Sequence, residues 1–523
     1  MLKNSAFLVL FIFVIAATAQ TPPTTDILIR NGRLLDGSGT PEKILDIAIT
    51  GDRITFIGNA KKSKLTAKRI IDAKGMIVAP GFIDPHTHAD EDLSNANRKG
   101  NVNYLMQGVT TVVINNDGAS VLPLTQRFAL FQSQGIGTNA ILLVGQGSVR
   151  QAVLGMNDAV PNDEQLNQMK SIVRQAMQDG AFGISTGLYY APGSFSKTEE
   201  VIELSKIVAE SGGIYDSHIR DESSYSIGLL GSIEEVIRIG REAKLPVHIS
   251  HIKALGVDVW GQSKQVISLI EKARGEGINI TANQYPYTAS GTGLGPALLP
   301  RWAEAGGNAE LLKRIADPKI LPNLIKEMEE NLRKRGGANS ILITSAKDKT
   351  LNGKRLDALA QSANQTPIET ALQIIKQGNA SIVSFNMNEA DIENFMKQPW
   401  VMTGSDGSGG HPRKYGTYPR KLSYYVLQRN VISVARFIQA SSAQVAETFK
   451  VKERGFLRQG YFADMIIFDE KAVAEKATYE TPTTLAVGMK WVIVNGKLAV
   501  EDGKFSGALA GRALRKNAEE RTP

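Results

Sequence analysis

The 523-residue sequence contains no cysteine. That excludes disulfides, thiolate metal ligands, a lipid-bearing N-terminal cysteine and a cysteine nucleophile. Histidine is scarce at six residues, so any imidazole chemistry draws on a short roster. No run of five or six Lys or Arg occurs, although the formal charge is +8. A scattered positive surface argues against nucleic acid and suits a small anionic substrate. Long apolar runs are also missing. The longest, Ala6 to Ile15, is too short for a membrane span. Met1-Leu2-Lys3 precedes it and Ala17-Thr18-Ala19 follows, the layout of a secretory signal peptide over residues 1–19 cut before Gln20. The mature protein is thus expected to be secreted, most simply into the periplasm, with no stable membrane span. A chain without thiols is compatible with that oxidising compartment.

What is present reads as a large barrel with smaller modules, because 523 residues exceed one ordinary domain. The mature N-terminus alternates like strands, with turn signals at Asn31-Gly32 and Gly51-Asp52. The same pattern returns at residues 463–468 and 491–496. Both chain ends, residues 20–78 and 453–523, therefore predict one small β domain. Between them, over residues 79–452, short apolar runs alternate with helical patterns, the signature of βα units around a parallel sheet. Candidate strands are Ile83 with its lead-in, then 110–114, 140–144, 183–186, 213–217, 247–250, 278–283, 382–385 and 401–404. That is nine where an eight-stranded barrel takes eight, so one lies elsewhere. Residues 290–346 break the rhythm as a Lys/Glu-rich helical insertion would.

The chemistry sits at strand ends. His86 and His88 in GFIDPHTHAD are two residues apart just past an apolar strand. In extended chain such a pair points to one side and can chelate one ion. His218 follows residues 213–217, His251 follows 247–250 and Asp406 follows 401–405. Four histidines and an aspartate at the ends of four strands converge on one rim, where α/β barrels carry their active sites. Imidazole with carboxylate suits Zn²⁺ or a similar divalent ion.

GFIDPHTH, SHIRDE, HISHIKALG and TGSDG occur in this order. Together they resemble the amidohydrolase superfamily. GVTTVV (108–113), STGLYYAPG (185–193), YPYTAS (285–290) and GYFADMIIFD (460–469) make the chain similar, within it, to the N-acyl-D-amino-acid deacylases, the D-aminoacylases. The resemblance implies an α/β fold: a distorted (β/α)8 TIM barrel, a small β domain from both chain ends and an insertion in the barrel. It implies one or two divalent ions, with His86 and His88 at one position and His218 and His251 at the other. Asp406 would be the catalytic acid/base touching the first ion or its water. It further points to Tyr190, Lys253 and either Tyr285 or Tyr287 as substrate contacts, with Arg220 a rival of Lys253 for the substrate carboxylate.

Two departures stand out. Relatives commonly place a metal-binding cysteine after the second strand, and this chain reads Asn115-Asn116-Asp117-Gly118 there. Others bridge two ions with a lysine on the fourth strand, which residues 183–187 do not supply. Asp117 is the candidate bridge, since a carboxylate has two oxygens and can span two ions. Gln146 stands where relatives often carry histidine. Of the remaining histidines, His248 has the wrong strand parity to join His251, and His411 lies on a Gly-rich loop after Asp406. The expected activity is hydrolysis of the amide of an N-acyl-D-amino acid, or of a dipeptide-like compound with a D-residue. The rivals are a cyclic amide hydrolase like dihydroorotase or hydantoinase, and a non-catalytic binding protein on the same barrel. Oligomeric state is not readable from the sequence.

Overall fold

The computed structural model describes residues 24–516; the expected signal peptide lies outside them. Eight parallel strands form the barrel: β1 (Phe82–Asp84), β2 (Val109–Ile114), β3 (Asn139–Leu142, continued by Val144–Gly145) and β4 (Gly183–Gly187), then β5 (Ile214–His218), β6 (Val247–Ile249), β7 (Ile280–Gln284) and β8 (Val401–Thr403). Each pairs in parallel with the next. The ring closes beyond the strand ends. Thr87 bridges Gly407 in parallel, the Asp406 amide donates to the His86 carbonyl at 2.9 Å, and the Ser405 amide donates to Oδ1 of Asp84 at 3.0 Å. The strands are buried throughout because both faces are covered; β2, VTTVVI, is buried at every position.

The helices follow from local rules. Asp163–Asp179 begins at Asn162, which forms a capping box with Gln165, and ends at Gly180 with φ 113°. Its buried side chains, Met169, Val173, Ala176 and Met177, recur at helical spacing and face the barrel. Each large one contributes about 1.5–3 kcal/mol by leaving water. No helix among the described residues is long and apolar enough to cross a membrane.

The ninth candidate strand is the one that leaves the barrel. Ala380–Phe385 pairs antiparallel with Ala289–Gly293 and with Ile341–Ala346 in a separate three-stranded sheet. The excursion between β7 and β8 thus runs to Phe385, past the 346 expected. It has its own apolar core, including Leu294, Leu324, Met328, Ile343 and Ile382. Periodicity could not separate this strand from a barrel strand, since both are short apolar runs. Strands from both chain ends share one sheet: Ile77–Pro80 lies between Thr24–Leu34 and Met465–Phe468. The C-terminal segment is not wholly part of it. Ala513–Leu514 returns to the barrel and pairs in parallel with β3.

Candidate metal centre and substrate cavity

The strand ends deliver their side chains through unusual backbone. Asp117, His251 and Asp406 all adopt positive φ, at 58°, 35° and 47°. For non-glycine residues that conformation is costly and is held by surrounding contacts. Here those contacts are identifiable. Asn283 accepts the His251 amide at 3.0 Å, and the His86 carbonyl accepts the Asp406 amide. Beside Asp117, the Gly118 amide donates to Oγ of Ser185, and a Cβ on Gly187 would stand 2.3 Å from the Asp117 carbonyl oxygen. Only glycine lets the two loops approach so closely.

The result is one cluster. Nε2 of His86 and Nε2 of His88 each lie 3.4 Å from a different carboxylate oxygen of Asp117. Nδ1 of His218 and Nε2 of His251 both lie 3.5 Å from its Oδ1. Asp406 Oδ1 is 3.2 Å from His88 and 3.7 Å from His86. The ligand atoms fall into two sets, His86-His88-Asp117-Asp406 and Asp117-His218-His251, which share Asp117. Both ring nitrogens of His86 and of His218, and Oδ1 of Asp117, are buried without hydrogen-bond partners. Native interiors rarely tolerate so many unpaired polar atoms aimed at one point. A divalent cation fits that donor set.

Glu222 stands behind the second set. Its Oε1 is 3.0 Å from Nδ1 of His251 and its Oε2 is 3.9 Å from Nε2 of His218. Nδ1 of His251 also lies 2.7 Å from Lys253 Nζ, so the carboxylate and the lysine together hold this imidazole with its Nε2 toward Asp117. Glu222 also pairs with Lys253 at 2.5 Å. Asp406 is backed by Arg413, with Nη1 2.9 Å from Oδ2. Burial alone would raise the Asp406 carboxyl, but the Arg413 guanidinium and His251 outweigh it and hold the group far below the ordinary range. His411 donates to the Ala289 carbonyl and accepts the Arg413 amide, both at 3.0 Å, so it pins the start of the helix Arg413–Arg420. His248 is buried between Thr281 and Asn283 at 2.8 Å each, and burial lowers its pKa to about 3.

Sequence reasoning missed Glu222 and Arg413. Glu222 was in view, four residues past His218 within SHIRDE. Arg413, seven past Asp406, had no strand-end position to mark it.

A cavity of about 440 Å³ opens over the cluster. Tyr190, Lys253 and Tyr285 line it, together with His88, His218 and Asp406. Two expected substrate contacts are elsewhere. Arg220 is not in the lining; it turns to Glu235 at 2.8 Å and to the Ser194 carbonyl. The Glu235 carboxylate, within reach on the following helix, takes the guanidinium, which residue parity could not reveal. Tyr287 donates to Glu475 at 2.9 Å and also lies outside the lining. Gln146 donates to Glu200 at 2.9 Å, and Arg150 pairs with the same carboxylate.

Residues 69–274 match the amidohydrolase family. The chain is 33% identical over 521 residues to D-aminoacylase of Alcaligenes xylosoxydans xylosoxydans, covering 94% of this chain and 98% of that protein. Among solved structures, D-aminoacylase with its binuclear metal centre superposes with a TM-score of 0.81 at 30% identity, over 94% of this chain and 100% of that one. N-acyl-D-glutamate deacylase from Bordetella bronchiseptica, complexed with zinc and a phosphonate mimic of the tetrahedral intermediate, gives a TM-score of 0.81 at 28% identity and the same coverage.

Proposed function

The chain belongs to the D-aminoacylase family of amidohydrolases, and we propose that it hydrolyses the amide bond of N-acyl-D-amino acids with the help of a divalent metal. The observation that carries this reading is the shared carboxylate: Asp117 joins two sets of buried donor atoms at the mouth of a barrel, with Asp406 alongside. His86, His88, Asp117, His218, His251 and Asp406 would hold one or two ions. Zn²⁺ suits four imidazoles with carboxylates, and the lack of thiolate admits harder ions as well. A bound divalent ion supplies an acidified water and polarises the amide carbonyl.

The chain's own groups do the rest. Asp406, paired with Arg413 and beside His86 and His88, is placed to accept the proton of the attacking water and to pass it to the departing amine. Without that proton the amine is a very poor leaving group. Lys253, Tyr190 and Tyr285 line the cavity where the substrate's α-carboxylate would lie, and a cation with phenols can receive it. Glu222 pairs with both Lys253 and His251 and holds them in place. Export to the periplasm rests on the leader-like residues 1–19 alone; cell fractionation tests it.

The deciding experiment is a panel of N-acetyl-D- and N-acetyl-L-amino acids with defined metals. Cleavage of D-substrates, lost on chelation and restored by metal, is expected. Opening of dihydroorotate or a hydantoin without cleavage of linear amides would favour the cyclic amidases instead. Metal binding with no hydrolysis at all would favour a binding protein.

A further inference from the structure

The insertion between β7 and β8 delivers a cation to the cavity. Its helix Leu321–Lys334 ends against the loops that follow β5 and β6. Arg333 pairs with Asp258 at 2.8 Å, Lys334 Nζ donates to the Ser224 carbonyl at 2.8 Å, and the Lys334 carbonyl accepts the Val257 amide at 3.1 Å. These three ties fix the next residue, Arg335, which is 1% exposed and lines the cavity.

Arg335 is only partly satisfied. Nε donates to the Ala297 carbonyl at 3.0 Å and Nη2 to Oη of Tyr189 at 3.1 Å. Nη1 is buried with no partner, and so is Oη of Tyr225, another lining residue. The Tyr225 ring centroid is 5.7 Å from the guanidinium carbon. Among the described residues no carboxylate pairs with Arg335. The other cation in the lining, Lys253, is already matched by Glu222. A buried guanidinium without an anion is expensive, and a purely structural anchor would leave that cost standing. Two buried donors without partners, on residues that line a cavity, can instead form half of an anion site.

Its position fits a substrate with two acids. Tyr189 spans the gap, with its ring 5.8 Å from the His218 ring and its hydroxyl on Arg335. The cation therefore sits about one tyrosine's length from the ligand cluster, within reach of a side chain or acyl arm of the same substrate. Resting on the deacylase reading above, we infer that Arg335 and Tyr225 receive a second carboxylate, carried on the amino-acid side chain or on the acyl group. The preferred substrates are then dianionic N-acyl-D-amino acids.

Paired substrates test this in the metal-loaded full-length enzyme. N-acetyl-D-glutamate against N-acetyl-D-glutamine reads an acid on the side chain. N-succinyl-D-leucine against N-acetyl-D-leucine reads an acid on the acyl arm. The wild type should favour the dianion in one pair by about 10- to 100-fold in kcat/KM, mostly through KM. Arg335→Met should bring that ratio close to one, Arg335→Lys should restore part of it, and Tyr225→Phe should lower it. If Arg335→Met does not fold, Tyr225→Phe and the wild-type ratio still decide. A wild-type ratio near one in both pairs, or a ratio unmoved by Arg335→Met, overturns the second-carboxylate site and leaves the deacylase reading intact. Failure to cleave any N-acyl-D-amino acid removes both.

Discussion

Replacing Asp117 by alanine should separate the two metal positions. With the carboxylate gone, one set keeps three donors, from His86, His88 and Asp406, while the other keeps two, from His218 and His251. Three protein ligands and a water complete a tetrahedral site; two do not. Loss of a supporting partner behind a ligand already weakens metal binding about 10- to 100-fold. Loss of a direct ligand from a three-donor set should therefore exceed about 100-fold, while the His86-His88-Asp406 set should weaken less. The assay is metal content by mass spectrometry after dialysis against a series of buffered free-metal concentrations. Wild type, Asp117→Ala, Asp117→Asn and His218→Ala are compared. Asp117→Ala and His218→Ala should lose the same ion, and Asp117→Asn should fall between, since an amide oxygen keeps one weak ligand. Full loading of both positions by Asp117→Ala at wild-type affinity would refute the bridge.

Two further outcomes are expected. Asp406→Asn should keep an ion on His86, His88 and Asp117 while turnover falls about 10²- to 10⁴-fold, the usual worth of a general acid/base; near-normal turnover with metal bound would remove the assignment. His248 is buried neutral with a pKa lowered to about 3. The unfolded chain takes up that proton near the ordinary value and the folded chain does not, so stability contributed above about pH 6.5 is lost as the pH falls toward 3. At pH 5 the loss is about 2 kcal/mol. Melting of wild type and His248→Gln, with chelator present, should show a wider Tm gap at pH 8 than at pH 5.

The ligand cluster was legible in the sequence because strand ends are marked by local pattern: an apolar run, then a histidine or aspartate. That rule located His86, His88, His218, His251 and Asp406. It failed wherever a partner decides a side chain's direction. Arg220 follows His218 with the right parity, yet Glu235 on a neighbouring helix takes its guanidinium. Tyr285 and Tyr287 share a motif, and Glu475, nearly two hundred residues on, separates them. Arg335 had no local mark at all, since it lies past the end of an inserted helix and gains meaning only where that helix docks. The same limit applied to the fold. Eight barrel strands and one strand of the insertion are all short and mostly buried, and only their pairing partners tell them apart.

The closure of the barrel has a consequence for how the protein acquires its ion. The first and last strands meet at two of the ligand residues, through the backbone carbonyl of His86 and the backbone amide of Asp406. Donors drawn from residues 86 to 406 cannot assemble on a nascent chain until more than three-quarters of it has left the ribosome. An early encounter with an ion would find the His86-His88 pair without the other donors. The identity of the ion is then chosen where folding finishes, by whatever free metals are available there.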